Sequence, residues 1–270
     1  MAEQFTGEPM GVAEQVSHIK QRIAAAAHKA RRSPDEVTLV AVTKYATAQQ
    51  IHELIAAGVR DLGESRVQQM QSHIDEVNGW LTSSAALSTG AVLPTPRDLR
   101  WHMIGHLQRN KANQAISLAC CIHSIDSLRI AEEINELAAR LEQPVKVLME
   151  VNTSGEASKF GVSVPAATHL CEQIETMGNL SLVGLMTMAP QTDDMDKPRY
   201  CFGLLRELFE EIRFHKMAGE QFEHLSMGMS GDFEAAIEEG ATMVRIGSAL
   251  FGPPPAQSPS EAAGNTNKGA

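Results

Sequence analysis

The 270-residue sequence predicts an α/β fold, a (β/α)8 TIM barrel preceded by one extra helix. Two features of the chain predict this fold. Short apolar runs rich in β-branched residues alternate with helical patterns, which is typical of a parallel sheet covered by helices. Eight such units fit into the length of a single domain. An open doubly wound sheet is the alternative, but the glycine-rich turn that should follow its first strand is not in the sequence.

The elements follow in order along the chain. The leading helix is predicted near 11–31, and the run VTLVAVT at 37–43 predicts a first strand that is buried on both faces. The segment 47–58 carries apolar residues at helical spacing and ends at Gly58, a typical C-terminal cap. The remaining strands are predicted at 59–63, 100–105, 120–125, 145–151, 180–186, 223–226 and 242–246. The remaining helices are predicted near 65–76, 108–118, 127–141, 165–177, 197–217 and 231–239.

Two segments break this alternation. Residues 78–99 are rich in Ser, Thr and Pro and predict an inserted loop between a helix and the next strand, on the face opposite the active site. The tail 253–270 has the composition of a disordered end. We therefore expect the barrel domain to span residues 1–252.

The composition argues against several classes of protein. The chain has 23 basic and 33 acidic residues, a net charge of −10, whereas nucleic-acid-binding proteins usually carry a basic surface. No apolar run approaches the roughly 20 residues that span a bilayer, and the first residues lack the pattern of a secretory signal. The four cysteines form no CxxC pair and indicate reduced thiols in a cytoplasmic protein. The histidines lack metal-ligand spacing, so no metal site is predicted.

Parallel barrels carry their chemistry at the carboxyl ends of the strands, and Lys44 follows the first strand directly. If it is partly desolvated at the barrel lip, its pKa falls and its amine is ready to form a Schiff base with an aldehyde. A solvated charge at a strand end is the alternative. At the end of the fifth strand, Asn152 is placed either to line the mouth of the barrel or to cap the following turn. Glu64, after the second strand, is expected to be structural.

The last two strands run into serine–glycine turns, SMGMSGDFEAA and VRIGSALFG. Ser230, Gly247 and Ser248 lie where helices begin, and free amides at such positions bind anions. Barrels often bind phosphate with these two loops, although ordinary N-capping by the serines is the alternative. Arg245 ends the last strand, where it is placed to bind phosphate, face a ring nitrogen or form a salt bridge.

From about residue 11 to Gly252 the chain resembles the pyridoxal 5′-phosphate homeostasis proteins, single-domain relatives of the alanine racemase N-terminal barrel. The motifs that carry this resemblance are AVTK, LGESRVQ, WHMIGHLQRNK, HSIDSLRIAEEIN, VNTSGEASKFGV, GLMTMAP and LSMGMSGDFEAAIEEGATMVRIGSALFG. The resemblance implies that Lys44 holds pyridoxal phosphate as an internal aldimine. It implies that Ser230, Gly247 and Ser248 bind the phosphate and that Arg245 faces the pyridine nitrogen.

The resemblance also implies a second family lysine near the barrel mouth, which is Lys159 here. Two positions depart from the family pattern. Ser65 replaces an asparagine that lines the cofactor pocket, and His106 replaces a proline. Neither change removes the residues that match the aldehyde and phosphate anchors.

Arginine at the pyridine nitrogen cannot accept a proton, so a bound pyridoxal ring should stabilise carbanions poorly. Racemases of the related fold use a tyrosine base and a second domain, and neither Tyr45 nor Tyr200 is an obvious replacement for that base. The resemblance and this chemistry together predict a carrier that buffers pyridoxal phosphate or delivers it to apoenzymes, helps to maintain amino-acid balance and has little catalytic activity. The carrier is expected to be a monomer. An amino-acid racemase or a related pyridoxal-dependent enzyme is the alternative. A Schiff-base aldolase acting on a sugar phosphate is a third possibility.

Overall fold

The computed structural model describes residues 10–86 and 93–252, and within them a closed parallel barrel is surrounded by helices. The strands are β1 (Thr38–Val42), β2 (Asp61–Glu64), β3 (Arg100–Met103), β4 (Cys121–Ile125), β5 (Val145–Asn152), β6 (Val162–Ser163), β7 (Leu180–Met186), β8 (His224–Ser226) and β9 (Met243–Ile246). The helices are α1 (Val12–Lys29), α2 (Ala48–Ala56), α3 (Val67–Ala86), α4 (Arg109–Leu118), α5 (Leu128–Ala138), α6 (Val164–Glu175), α7 (Asp196–Phe214), α8 (Phe233–Glu238) and α9 (Ser248–Phe251).

The barrel closes because β1 pairs with both β2 and β9 while β4 pairs with β5. All pairs are parallel, and the two-residue β6 adds only to the end of β5, outside the ring of eight. The predicted TIM barrel with an extra N-terminal helix is therefore confirmed. The ends of all eight barrel strands lie within two residues of their predicted positions.

Helix α1 completes the outer ring of helices. Its buried residues, among them Ile19 and Ile23, pack against α2 and α8. Ion pairs of Arg22 with Glu234 and of Lys29 with Glu238 hold it to α8. Among the described residues β9 is followed only by the four-residue α9, and α1 covers the sheet between α8 and α2.

Helix α3 corrects the expectation of an inserted loop at 78–99, since it continues to Ala86. The Trp80 ring stacks on His52 of α2 with centroids 4.1 Å apart, and Leu81 is buried in the core. The Thr82 hydroxyl donates to the Asn78 carbonyl, so this polar residue is satisfied within the helix. Residues 87–92 of the predicted loop and the predicted tail 253–270 lie outside the described residues.

Two hydrophobic clusters result from this architecture. The larger one lies between the strands and the helices and includes most buried apolar residues. The smaller one lies inside the barrel and consists of Val40, Cys121, Leu148, Val183, Met186 and Met243. Strand residues two positions away from its members point to the same face, and several of these are polar, namely His123, Glu150 and Arg245. In the part of the chain that the structure describes, no helix is long and apolar enough to cross a membrane.

Candidate cofactor site at the carboxyl end of the barrel

A cavity of about 630 Å³ opens at the carboxyl ends of β1, β8 and β9. The residues that argue for its function are Lys44, Tyr45, Ser230, Arg245, Gly247 and Ser248, all in its lining. Five of the six residues predicted to bind a cofactor therefore come together, although 186 positions of the sequence separate Lys44 from Ser230. Its volume lies within the range of ordinary small-molecule pockets.

Lys44 stands two residues beyond the end of β1, in a turn. Its side chain is exposed, and its ammonium lies 5.0 Å from the centroid of the Tyr45 ring. Its carbonyl accepts a hydrogen bond from Gln69 Nε2 at 2.5 Å, which fixes the turn to α3. The structure therefore shows a solvated lysine rather than the partly desolvated one that its place after an apolar strand suggests. Because Lys44 lies in a turn beyond the apolar strand, its side chain is in the solvent-facing wall of the cavity.

Ser230 ties the loop after β8 to the loop after β9. Its Oγ accepts hydrogen bonds from the backbone amides of Gly247, at 3.3 Å, and Ala249, at 3.2 Å. Within the first loop, Asp232 Oδ1 accepts from the Met229 amide at 2.5 Å. Hydrogen bonds therefore hold together the two serine–glycine turns that are predicted to bind phosphate.

These donors do not depend on a helix dipole. Helices α8 and α9 have only six and four residues, so few peptide dipoles are aligned at this end of the cavity. The groups that suit an anion are instead the amides of the β9 loop and the hydroxyls of Ser230 and Ser248. A phosphate, with several acceptor oxygens, has the chemistry to accept from the donors that Ser230 now engages.

Arg245 lies at the inner end of the cavity and is only 4% exposed. Its Nη1 donates to Ser226 Oγ at 2.6 Å and its Nη2 donates to the Thr187 carbonyl at 2.9 Å. Burial lowers the pKa of Arg245 to about 10, against the opposing effect of Glu150 and Asp232, so the guanidinium is still charged at neutral pH. Its hydrogen-bond partners are thus a hydroxyl and a carbonyl rather than the carboxylate of a salt bridge.

Asn152 is the predicted site residue that does not line the cavity. Its Oδ1 accepts from Ser154 Oγ and the Gly155 amide, both at 3.0 Å, and its Nδ2 donates to the Glu156 carbonyl at 2.9 Å. The side chain therefore caps the turn after β5, the alternative that the sequence left open. Lys159 lies in the same loop and pairs with Glu156 at 3.0 Å.

The two departures from the family pattern lie beside the ends of β2 and β3. Gly105 packs so closely on Ser65 that a Cβ at position 105 would collide with the Ser65 carbonyl oxygen. The His106 ring stacks on Phe160 with centroids 4.0 Å apart, and its Nδ1 lies 2.9 Å from Asp126 Oδ2. His106 thus joins the β3 loop to the loop after β5, a contact that proline could not make.

Glu64 is structural, as expected. It is fully buried, and its Oε1 accepts from Thr43 Oγ1 at 2.5 Å and lies 2.8 Å from His73 Nδ1. These contacts tie the ends of β1 and β2 to α3 just below the Lys44 turn. The residue therefore supports the wall of the cavity without entering it.

Sequence reasoning missed the polar residues inside the barrel. His102 Nδ1 lies 3.0 Å from His123 Nε2, and both side chains are buried. Burial opposes a charge on His102, but hydrogen bonds, first of all to Asp61, outweigh it and raise the His102 pKa well above its usual value. Burial, His102 and Arg245 together lower the pKa of His123. The signal in the sequence was a polar residue within several of the short apolar strands, and a search for metal-ligand spacing alone does not detect it.

The same histidines lie near Cys121, with ligand atoms of the three residues within 4.8 Å of one another. The ring nitrogens are nevertheless engaged with each other, with Asp61 and with Ser226. Hydrogen bonding thus accounts for this cluster, and the expectation of no metal site stays a prediction.

Comparisons with known proteins agree on the family. The family model of the alanine racemase N-terminal domain matches residues 15–255. The pyridoxal phosphate homeostasis protein of Pseudomonas aeruginosa is 39% identical over 241 residues, covering 89% of this chain and 95% of the relative. The pyridoxal phosphate homeostasis protein of Aquifex aeolicus is 36% identical over 244 residues, covering 90% of this chain and 98% of the relative. The structure of Synechococcus elongatus PipY with pyridoxal phosphate bound has a TM-score of 0.71 at 30% identity and covers 89% of this chain and all 100% of that one. The chain belongs to the pyridoxal phosphate homeostasis proteins, a family with the barrel of the alanine racemase N-terminal domain.

Proposed function

We propose that the protein binds pyridoxal 5′-phosphate in the cavity at the carboxyl end of the barrel and holds it as a Schiff base on Lys44. The observation that carries this proposal is that an exposed primary amine, a buried arginine and two linked serine–glycine loops line one cavity. The amine adds to the aldehyde carbon, and loss of one water leaves a C=N bond. The relative of known structure that is named as binding pyridoxal phosphate supports the choice of cofactor.

Each side chain then has a separate task. Lys44 carries the aldehyde, while Ser230, Ser248 and the Gly247 amide bind the phosphate. Arg245 faces the ring nitrogen. Since a guanidinium has no lone pair to accept a proton, Arg245 does not keep that nitrogen protonated. The bound ring is then a weak electron sink, which suits retention of the cofactor better than its use in catalysis.

The role we propose is a carrier that buffers pyridoxal phosphate or passes it to apoenzymes, and so supports amino-acid balance, with little or no turnover of its own. The names of the relatives point the same way. The four free cysteines suit the reducing cytoplasm, where those apoenzymes would be met. We further propose that the carrier is monomeric, since a single chain supplies the amine, the phosphate donors and the arginine that the proposal assigns to the cofactor.

The experiment is an absorbance spectrum of the purified protein before and after borohydride, followed by peptide mapping. We expect a visible band that disappears on reduction and a stable adduct on Lys44. Lys44→Ala should abolish the adduct, and Lys159→Ala, which removes another lysine near the mouth, should retain it. Unchanged covalent occupancy in Lys44→Ala would refute the assignment of the lysine. A colourless protein that stays unmodified with added pyridoxal phosphate would refute the cofactor.

One observation favours a racemase as the second candidate, because Tyr45 lies in the cavity beside Lys44 and offers a second acid–base group. The two side chains are neighbours on the same wall, however, whereas racemisation needs proton transfer on both faces of the substrate. Incubating the holoprotein with D- or L-alanine in deuterated water separates the candidates. A carrier leaves the α-proton in place, and a racemase exchanges it.

A further inference from the structure

A continuous chain of hydrogen bonds crosses the interior of the barrel and ends at the cavity. Arg245 Nη1 donates to Ser226 Oγ at 2.6 Å, and that oxygen lies 3.0 Å from His123 Nδ1. His123 Nε2 lies 3.0 Å from His102 Nδ1, and His102 Nε2 lies 3.0 Å from Asp61 Oδ1. Five strands each contribute one residue to this chain, which runs from the amino end of β2 to the carboxyl side of β9.

Both ends of the chain are anchored. At the far end, Arg100 donates two hydrogen bonds to the Asp61 carboxylate, from Nε at 2.6 Å and from Nη2 at 2.5 Å. At the near end, the Thr187 carbonyl takes the second hydrogen bond from Arg245. Because Thr187 contributes only backbone, Ser226 is the side chain on which the direction of the guanidinium depends.

Packing alone does not require these polar residues. The inside of a (β/α)8 barrel is usually filled by bulky branched side chains, as it is here around Val183 and Leu148. A buried polar chain loses its hydration and is tolerated only when its members satisfy one another. The arrangement therefore points to a role for the chain at its cavity end, where Arg245 is the member that reaches the ligand space.

The anchor on Arg245 does not depend on where the histidine protons lie. A guanidinium only donates, so Ser226 Oγ must accept from it. A ring nitrogen of a neutral histidine can donate or accept, which allows either direction of donation between Ser226 and His123. In both directions the Ser226 oxygen keeps its bond to Arg245, and His123 holds the hydroxyl in place.

We propose that Ser226, supported by His123, His102 and Asp61, is a positioning residue that holds the Arg245 guanidinium in the orientation in which it meets the ligand. Its effect on the ligand rests on the proposed function, with Arg245 meeting the ring of pyridoxal phosphate. Its effect on Arg245 itself does not rest on that function, because these hydrogen bonds form between residues of the protein without any ligand.

The first test uses the full chain without cofactor, labelled with 15N arginine. In the wild type, the hydrogen-bonded Nη groups of Arg245 should rotate slowly and give separate signals, assigned by their loss in Arg245→Lys. Ser226→Ala should shift or merge these signals, whereas Ser226→Thr, which keeps a hydroxyl, should retain them. Unchanged Arg245 signals in Ser226→Ala would overturn the proposal. So would freely rotating Nη groups in the wild type, a result that needs no variant to fold.

The second test measures bound pyridoxal phosphate in the same proteins. Loss of a hydrogen bond to a charged group should weaken binding about tenfold in Ser226→Ala and move the absorption band, while Ser226→Thr should stay within about twofold of the wild type. A role in stability alone would lower the melting temperature and leave the band where it is, which would contradict positioning. If the wild type forms no adduct, the proposed function fails, and the arginine signals still decide the positioning role.

Discussion

The outer shell of the barrel and its interior are built from different kinds of residue. Between the strands and the helices the buried side chains are almost all apolar, with Phe202, Phe222 and Phe233 among the largest. Inside the ring of strands a small apolar cluster shares the space with buried polar residues such as His123 and Glu150. The shell therefore stabilises the fold through burial of apolar surface. The interior contributes less to stability, because the polar groups beneath the cavity lose their hydration when they are buried.

The largest effect on stability is expected from a cavity in the shell. Phe202→Ala removes a fully buried ring and should lower the free energy of unfolding by about 3–5 kcal/mol. The control is Phe214→Ala, at a ring that is 82% exposed, with an expected change below about 0.5 kcal/mol. Urea unfolding measures both. If the two variants lost equal stability, the shell would not be the main source of stability.

An interior carboxyl should make stability depend on pH. Burial, with Asp126 adding to it, raises the pKa of Glu150 from 4.5 to about 7, while the unfolded chain keeps the lower value. The folded state therefore holds a proton that the unfolded state has lost, and stability should fall as the pH rises from about 4.5 to about 7. At about 1.4 kcal/mol per pKa unit the loss is about 3 kcal/mol.

Glu150→Gln tests this expectation, because the amide cannot ionise. Relative to the wild type it should gain about 3 kcal/mol at pH 8 and nearly nothing at pH 4.5, as measured by urea unfolding at both pH values. Glu142→Gln makes the same chemical change on the exposed surface and should change stability by less than about 0.5 kcal/mol at either pH. Equal stability of wild type and Glu150→Gln at pH 8 would show that the interior tolerates this charge as water does.

Substitutions in the loop after β8, where the interior of the barrel meets the cavity, should have an intermediate effect on stability. Gly228 has a φ of +90°, and a Cβ there would lie 2.5 Å from the Ala236 Cβ and 3.0 Å from the Phe233 Cα. Gly228→Ala should therefore cost about 2 kcal/mol, from backbone strain together with overpacking. In the same loop a Cβ at Gly231 would meet nothing within 4 Å, so Gly231→Ala should be nearly neutral in thermal unfolding. A neutral Gly228→Ala would mean that the loop adjusts freely.

The smallest effect is expected outside both regions. Lys29 pairs with Glu238 at 2.8 Å, but 69% of the lysine side chain is exposed, so water and salt screen the pair. Lys29→Ala should reduce the free energy of unfolding by less than about 1 kcal/mol, and the difference should shrink as salt is added. A larger loss that does not depend on salt would contradict the expectation that solvent screens this ion pair.

How far the sequence predicts the fold differs between elements. Strand positions were predictable because the apolar runs and the residues that end them are local signals. The length of α3 was not, since its last turns carry Ser and Thr, and their helical state depends on Trp80 packing against His52 of another helix. A local pattern cannot include a partner 28 positions away.

The same division holds for the site. The sequence placed Lys44, Ser230, Arg245, Gly247 and Ser248 together because each lies at or just after the end of a predicted strand, and parallel strands bring their carboxyl ends to one face. Asn152 follows a strand as well, but local hydrogen bonds turn its side chain into the next loop.

By itself, then, the sequence determined the barrel, the order of its strands and the face on which the candidate site lies, because these depend on periodicity along the chain. Only the tertiary structure decided which side chains meet inside the ring. Asp61, His102, His123 and Ser226 lie on four strands, and their hydrogen bonds exist only once the barrel has closed in one register. Closure and register are set by packing of the whole ring, so no single segment of the sequence carries them.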